Sequence, residues 1–196
     1  MPAIVSMLRG VNVGAHHRIS MAALRELYEK LGLQDARTYV QSGNVVFKTA
    51  EGDLPGLARL IEDAIEQAFN FHADIILRTT AELRDVIAKN PFRARENIDP
   101  GKLLVLFLAG HASQQGRERV RGLNTGPEEL YIGEREIYIY FPNGMGRSKL
   151  PWASLETVLK TPSTGRNWRT VTKLLEMAEE MEGEGSFRDT RSIIPT

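Results

Sequence analysis

The residues best suited to chemistry lie in one cationic, glycine-containing segment, residues 142–173. Residues 144–149 read Gly-Met-Gly-Arg-Ser-Lys, and residues 166–169 read Arg-Asn-Trp-Arg. Six Lys or Arg and one acid lie between Arg147 and Lys173, a local net charge of +5 in a chain of net charge zero. Glycines let a backbone approach a ligand closely, and helix N-termini favour negative charge. The segment therefore predicts an anion site.

The side chains of this segment suggest separate roles in recognition. Arg147 could fork onto a phosphate or carboxylate, Lys149 could add a point charge, and Ser148 could donate a hydrogen bond or cap a helix. Arg166 is expected at the start of a second helix, which Thr164 or Asn167 would cap. The predicted ligand-binding residues here are Gly144, Gly146, Arg147, Ser148, Lys149, Arg166, Asn167 and Trp168. Two alternatives stay open: a tight turn with solvated cations, and salt bridges around a Trp168 that fills core.

A second polar loop follows the first buried strand and reads Arg-Gly-Val-Asn-Val-Gly over residues 9–14. Loops at the carboxyl ends of strands often carry ligand contacts, so Arg9, Asn12 and Gly14 complete the predicted site. The alternative is a turn in which Asn12 and Gly14 supply positive φ. The turn at residues 41–44 is expected at the opposite edge of the sheet, roughly 20 Å away, and is interpreted as structural.

The elements that position these loops follow one order twice. Residues 3–8, 36–41, 44–48 and 72–78 are predicted strands, and helices are predicted after the caps Ser20 and Asp53. This is the βαββαβ, ferredoxin-like order. A further helix at residues 80–89, with a capping box of Thr79 and Glu82, ends at Asn90-Pro91.

The second half repeats the order, with strands at 102–109, 129–132 and 136–141 and helices at 113–123, 148–159 and 167–181. A helix stands where the last strand would be. The predicted fold is α+β, two ferredoxin-like halves packed together, with the second half ending in helices. The predicted domains are 1–91 and 102–181, joined by a linker at 92–101 and followed by a flexible tail at 182–196.

Composition narrows the class of protein. No cysteine is present, which excludes disulfides and thiol chemistry. No apolar run approaches the roughly 20 residues that span a bilayer, and the first residues lack the pattern of a signal peptide. We therefore expect a cytoplasmic protein without membrane contact. The four histidines, 16, 17, 72 and 111, lack a metal-ligand spacing, and no catalytic triad or carboxylate pair stands out. No metal or cofactor is predicted, and whether the protein is an enzyme stays open.

Three functions remain as hypotheses. The first is binding of a phosphate- or carboxylate-bearing small molecule in a basic cleft between the halves. The second is nucleic-acid binding by the basic 147–173 segment and a sheet face carrying Tyr138 and Tyr140, whose rings could stack on bases. The third is a protein-interaction module without a small ligand, in which the basic segment binds an acidic partner. Residues 176–196 carry a net charge of −4, so the chain's own tail could bind the basic segment instead.

Five motifs together resemble the domain-of-unknown-function family 1697. They are residues 8–14 (Leu-Arg-Gly-Val-Asn-Val-Gly), 37–47 (Arg-Thr-Tyr-Val-Gln-Ser-Gly-Asn-Val-Val-Phe), 90–92 (Asn-Pro-Phe), 144–150 (Gly-Met-Gly-Arg-Ser-Lys-Leu) and 166–171 (Arg-Asn-Trp-Arg-Thr-Val). The resemblance covers about residues 3–181 and implies a small bacterial-type cytoplasmic α+β protein with two ferredoxin-like halves. It implies no reaction. Ala15 departs from the family pattern, which commonly has a second glycine there.

Overall fold

The computed structural model describes residues 1–14, 17–123, 125–150 and 152–189. The chain divides into two compact units: Met1–Arg84 with Lys173–Thr196, and Asp85–Thr172. Each unit contains one four-stranded antiparallel sheet, and the described residues include six α-helices. The α+β class predicted from the sequence is therefore confirmed. Within the described ranges, no helix is long and apolar enough to cross a membrane.

The first unit is built around a fully buried central strand. Its elements are β1 (Ala3–Leu8), α1 (Met21–Lys30), β2 (Gln34–Thr38), β3 (Asn44–Lys48), α2 (Leu54–Phe69) and β4 (Ile75–Thr79). The sheet order is β2-β3-β1-β4. All six residues of β1 are buried, and the strand has a neighbour on either side. Alternate β1 residues, Ile4 and Leu8, join one core with the apolar faces of both helices.

The second unit repeats this arrangement. Helix α3 (Thr80–Ala88) leads into it, followed by β5 (Leu103–Leu108), α4 (Gln114–Arg121), β6 (Glu129–Ile132), β7 (Glu136–Tyr140), α5 (Trp152–Leu159), β8 (Ser163–Asn167) and α6 (Trp168–Asp189). Its sheet order, β6-β7-β5-β8, matches that of the first unit strand for strand. Leu104, Leu106 and Leu108 of the central β5 anchor its core.

Several helix starts form as the sequence predicts. The side chain of Ser20 accepts from the amide of Ala23, and that of Asp53 accepts from Gly56. Thr79 and Glu82 form the predicted capping box, in which each side chain accepts the amide of the other residue, at 3.1 and 2.8 Å. Local side-chain chemistry determines these boundaries, and the sequence therefore reveals them.

The prediction that the second half ends in helices without a last strand is wrong. Residues 163–167, expected partly as a helix start, form β8 and pair antiparallel with β5. Ser-Thr-Gly-Arg-Asn shows no apolar alternation, so the strand forms because β5 offers a free edge for hydrogen bonds. Gly165 suits this edge, because a Cβ there would lie 3.2 Å from the side chain of Leu104.

Other predicted boundaries also shift. Strand β2 ends at Thr38 rather than at residue 41, because Val40 adopts φ 51°, outside the extended region. Strand β4 begins at Ile75 rather than at residue 72. Helix α5 begins at Trp152 rather than near Ser148, and α6 continues past Met181 to Asp189. The end of the predicted tail, residues 190–196, lies outside the described residues, as do Ala15 and His16.

Candidate anion site in the second unit

The two cationic motifs of the second unit lie at the same end of its sheet. Tyr140, the last residue of β7, pairs with Leu103, and Asn167, the last residue of β8, pairs with the next residue, Leu104. The segment that follows β7 and the first turn of α6 therefore both emerge where β5 begins. A 3-10 turn, Pro100–Lys102, lies at this end too. We call this region the basic sheet end.

The glycine-containing segment at the basic sheet end uses its amides internally. Gly144, at φ 83°, donates its amide to Phe141 at 2.9 Å. The amides of Arg147 and Ser148 donate to carbonyls three residues earlier, both at 3.1 Å. Leu150 donates to the Ser148 hydroxyl at 3.0 Å. The helix start predicted at Ser148 is wrong, because α5 starts only at Trp152. Because these amide donors are occupied, the side chains are the main means by which the segment can bind an anion.

Several cationic side chains at the basic sheet end are positioned to bind an anion. Arg147 and Lys149 are exposed, and neither forms an ion pair with another described residue. Lys102 donates from Nζ to the carbonyl of Pro142 at 2.9 Å, which fixes it beside the same segment. Arg169 is 71% exposed and lies 3.9 Å from the carboxylate of Asp99. Such exposed pairs are weak, about 0–1 kcal/mol, so Arg169 can exchange its partner for a ligand.

The first turn of α6 carries a cation, Arg169, where the helix dipole disfavours it. Asn167 is exposed and caps the helix by accepting from the amide of Thr170 at 2.8 Å, which confirms one of the two predicted caps. Arg169 follows two residues later, and Trp168 is half-buried. A cation at a helix N-terminus costs a few tenths of a kcal/mol or more, and a bound anion would offset this cost.

Arg166 does not take the position expected for it. It lies in β8 instead of in the first turn of a helix, and it is only 6% exposed. Its guanidinium donates to the Thr164 hydroxyl at 2.7 Å and to the Gly165 carbonyl at 2.9 Å, and burial lowers its pKa to about 10. We therefore leave Arg166 out of the site proposed below.

Arg166 has a counterpart in the first unit that sequence reasoning missed. Arg166 pairs with Val105 of β5, and Arg78 pairs with Val5 of β1. Arg78 is likewise buried and donates to the carbonyl of Leu77 at 2.8 Å. In both units an arginine thus stands near the end of the last strand, just before a helix. Their equivalence is visible only once the strands are paired, and it indicates a structural role.

The two tyrosines of β7 differ in burial, so they do not form the predicted pair of base-stacking rings. Tyr138 is 3% exposed, and its hydroxyl donates to the carbonyl of Val86 at 2.7 Å. Burial raises its pKa. Tyr140 is only half-buried, and its ring lies 5.6 Å from that of Phe92. Tyr138 is therefore a core residue, while Tyr140 is only partly covered.

A cavity of about 430 Å³ opens beside Tyr140 and was not predicted. It is lined by Arg95, Glu96, Asn97, Ile98 and Tyr140. Both terminal nitrogens of Arg95 donate to the carboxylate of Glu129, at 2.7 and 2.6 Å, and this contact lowers the pKa of Glu129. Residues 92–101 were predicted as a linker because of their charges. The signal that residues 92–101 pack was Phe92, which is buried. Its ring centroid lies 5.1 Å from that of Tyr131 and 5.1 Å from the Arg95 guanidinium.

The predicted residues of the first unit, Arg9, Asn12 and Gly14, lie in a loop held by its own contacts. Arg9 pairs with Asp74 at 3.1 Å. Asn12, at φ 55°, donates to the carbonyls of Ile19 and Gln41 at 2.9 and 2.8 Å and accepts from the amide of Ile19. Gly14 is exposed at φ 65°. The turn alternative left open for Asn12 and Gly14 therefore fits these contacts well.

The distance predicted between this loop and the turn at residues 41–44 is wrong. Leu8 donates its amide to the carbonyl of Gly43 at 2.8 Å, and a Cβ on Gly43 would overlap Val11. Because β3 runs antiparallel to β1, with Met7 opposite Asn44, the start of β3 must lie beside the end of β1. Two of the five motifs thus meet in one loop cluster.

The acidic C-terminal residues mostly pair elsewhere than with the basic sheet end. Glu179 contacts Arg84 at 2.7 Å, and Glu184 contacts Arg37 at 2.6 Å. Glu182 accepts from the amide of Ala3 and from the hydroxyl of Thr80. These partners all belong to the first unit, and they explain why α6 extends past Met181. Glu176 instead pairs with a cation of the basic segment, Lys173, at 2.6 Å.

No group of three or more His, Asp or Glu that could hold a metal occurs among the described residues.

Comparison with known proteins identifies the family. A family model described as "Protein of unknown function (DUF1697)" matches residues 1–138. The chain belongs to this family. A solved structure titled as that of the conserved bacterial protein SP0830 from Streptococcus pneumoniae is 25% identical, with a TM-score of 0.73, over 91% of this chain and 99% of that one. No curated protein matches the chain.

The family match covers three of the five motifs, those at residues 8–14, 37–47 and 90–92. The two motifs of the basic sheet end, 144–150 and 166–171, lie beyond the matched range. The five-motif resemblance therefore extends further along the chain than the match to the family model, which ends at residue 138. The family description names no activity, so the function is uncharacterised and has to be argued from the site.

Proposed function

We propose that the second unit binds a small molecule bearing a phosphate or carboxylate at the basic sheet end. One observation carries this proposal: the topology brings four cations to one end of one sheet, where Asp99 lies 3.9 Å from Arg169 in an exposed pair and Glu129 is already engaged by Arg95. The cations are Lys102, Arg147, Lys149 and Arg169. Cations brought together without compensating acids are costly for the folded state unless they meet an anion.

Side chains rather than backbone amides would bind the anion. Arg147 and Lys149 are exposed on a turn whose internal hydrogen bonds fix its shape. Arginine can bind a phosphate or carboxylate with two parallel hydrogen bonds, and lysine adds a flexible charge. Three expectations from the sequence stay predictions. They are a ligand cleft between the two halves, a cytoplasmic location, and ligand binding by Arg9, Asn12 and Gly14.

A thermal-shift screen of the full chain tests the proposal, with inorganic phosphate, sugar phosphates, carboxylates and nucleotides as ligands. A ligand present at 1,000 times its Kd stabilises by about 4 kcal/mol, which corresponds to a shift in Tm of several degrees. Replacement of Arg147 and Lys149 by Ala should weaken binding at least about tenfold, because each charge-assisted hydrogen bond contributes about 1.5–3 kcal/mol.

The matched control is Arg25→Ala with Arg59→Ala, which removes the same charge from exposed helix positions of the first unit. This control should bind like the wild type. If no anion stabilises the wild type, or if the control loses as much affinity as the double variant, the proposal fails.

Nucleic-acid binding stays as the second candidate, favoured by the net charge of +5 over residues 147–173. It predicts an affinity for oligonucleotides that rises with their length and falls steeply with salt. The buried Tyr138 cannot contribute a stacking face to it. A mononucleotide affinity equal to that of a long oligonucleotide would count against this candidate.

We also infer that each unit is a ferredoxin-like fold. The βαββαβ element order and the strand order 2-3-1-4 of each sheet support this inference.

A further inference from the structure

We propose that the ligand of the basic sheet end is a nucleoside monophosphate, whose base occupies the cavity beside Tyr140. This inference rests on the proposed function, because the phosphate would meet the cations already described. It adds a second half to the site, and that half is formed by residues 95–98. The cavity, of about 430 Å³, lies within the range of roughly 300–1,000 Å³ typical of ligand pockets.

The cavity combines an aromatic wall with groups that recognise a base edge. Tyr140 is half-buried and is supported from one side by Phe92, at 5.6 Å between ring centroids, so its other face can stack on a base. The amide of Asn97 offers a donor and an acceptor side by side, which suits the edge of a nucleobase. Glu96 accepts hydrogen bonds only, so it suits the amino group of a base or the hydroxyls of a ribose.

One lining side chain of the cavity is held in place before any ligand arrives. Arg95 is held by two hydrogen bonds to Glu129 and by the ring of Phe92 beneath its guanidinium. Its charge is thereby engaged, which leaves phosphate recognition to the cations of the basic sheet end. A side chain that does not have to be ordered on binding lowers the entropic cost of binding.

The chain leads directly from the cavity to those cations. Ile98, the last lining residue of the segment, precedes Asp99, whose carboxylate lies 3.9 Å from Arg169. Tyr140 likewise immediately precedes the segment that carries Arg147 and Lys149. One ligand with a flat polar ring at one end and an anion at the other would therefore engage both parts. A sugar phosphate or an inorganic anion would use the cations alone.

Isothermal titration of the full chain compares inorganic phosphate, ribose 5-phosphate, adenosine, and the four nucleoside monophosphates. At least one monophosphate should bind about tenfold or more tightly than ribose 5-phosphate, since a stacked base adds this much affinity. Tyr140→Leu should remove most of that advantage and Asn97→Ala part of it, and both should leave the affinity for ribose 5-phosphate unchanged. Tyr140→Phe, which keeps the ring, should retain the advantage.

The outcomes separate this inference from the proposed function. If all the phosphates bind equally and Arg147→Ala with Lys149→Ala weakens them, the anion site stands and the nucleotide assignment is overturned. If nothing binds, both fall. Trp152 is partly exposed and stacks on Phe141 at 6.1 Å, so it is the rival platform. Loss of the advantage in Trp152→Leu, but not in Tyr140→Leu, would overturn the assignment to the cavity.

Discussion

At the scale of single residues, glycine has a different meaning in each loop. Gly43 has φ 70°, and a Cβ there would overlap side-chain atoms of Val11 and Leu8, so both the backbone and the packing require glycine. Gly14 has φ 65° but open space around it. The two glycines therefore separate the cost of backbone strain from the cost of overlap.

Gly43→Ala should destabilise the protein more than Gly14→Ala. A left-handed conformation costs a residue with a Cβ about 1–2 kcal/mol, and both variants incur this cost. Overlap in a packed interior adds about 1–3 kcal/mol for Gly43 alone. Urea unfolding followed by circular dichroism gives the two free energies. Equal losses of stability would mean that Gly43 does not pack against Val11 and Leu8 as described.

At the scale of elements, α6 is held at both ends by polar contacts. Its N-terminus is capped by Asn167. Near its C-terminal end, Glu182 accepts from the amide of Ala3 at 3.1 Å and from the hydroxyl of Thr80 at 2.7 Å. Glu182 thus accepts from a backbone amide at the start of β1 and from a hydroxyl at the start of α3. Through these two hydrogen bonds the helix contributes to the stability of the first unit.

Glu182→Ala should lower the free energy of unfolding by about 1–3 kcal/mol, because the partly buried amide of Ala3 loses its acceptor and the Thr80 hydroxyl keeps only the longer bond to the Ala3 carbonyl, at 3.3 Å. Glu180→Ala is the matched control: it removes an exposed carboxylate from the same helix and should change stability by less than about 0.5 kcal/mol. Chemical denaturation of both variants measures the difference. Similar values for the two would show that α6 does not depend on the contacts of Glu182.

At the scale of the whole molecule, the chain has no net charge but carries buried ionisable groups in both units. Tyr28 in the first unit is fully buried with its hydroxyl 2.7 Å from that of Ser6, and Tyr138 is buried in the second. Burial raises the pKa of each phenol. Burial lowers the pKa of Arg166 to about 10, which acts on alkaline stability with the opposite sign.

The phenols make stability depend on alkaline pH. Below about pH 10 both states keep the phenolic proton, whereas above it the unfolded chain releases the proton first, so the free energy of unfolding falls by up to about 1.4 kcal/mol per pH unit for each tyrosine. Tyr138→Phe should flatten this decline between about pH 10 and 11, and exposed Tyr131→Phe should not. Because Arg166 is common to all variants, its effect cancels. If the free energy of unfolding declined equally with pH in Tyr138→Phe and in the wild type, burial of Tyr138 would not be a cause of the alkaline decline.

The sequence by itself determined what depends on neighbouring residues. Apolar periodicity located most helices and strands, and Ser20, Asp53 and Thr79 with Glu82 marked helix starts because a cap needs only the next turn of backbone. Arg147 and Lys149 of the proposed anion site were also predicted in this way, since their charge does not depend on the fold, whereas Lys102 and Arg169 were not among the predicted site residues. The family could be recognised from the same motifs.

The tertiary structure decided everything that depends on a partner strand or a distant side chain. Strand β8 exists because β5 offers it an edge, and this pairing buries Arg166, which the sequence had placed in an exposed helix start. The antiparallel pairing of β1 and β3 brings Gly43 against Leu8. The cavity beside Tyr140 arises because Phe92 packs on β7, so that a charged segment becomes a wall. Hydrogen bonds and burial between residues far apart in the chain leave no periodic signal in the sequence, which is why only the fold reveals them.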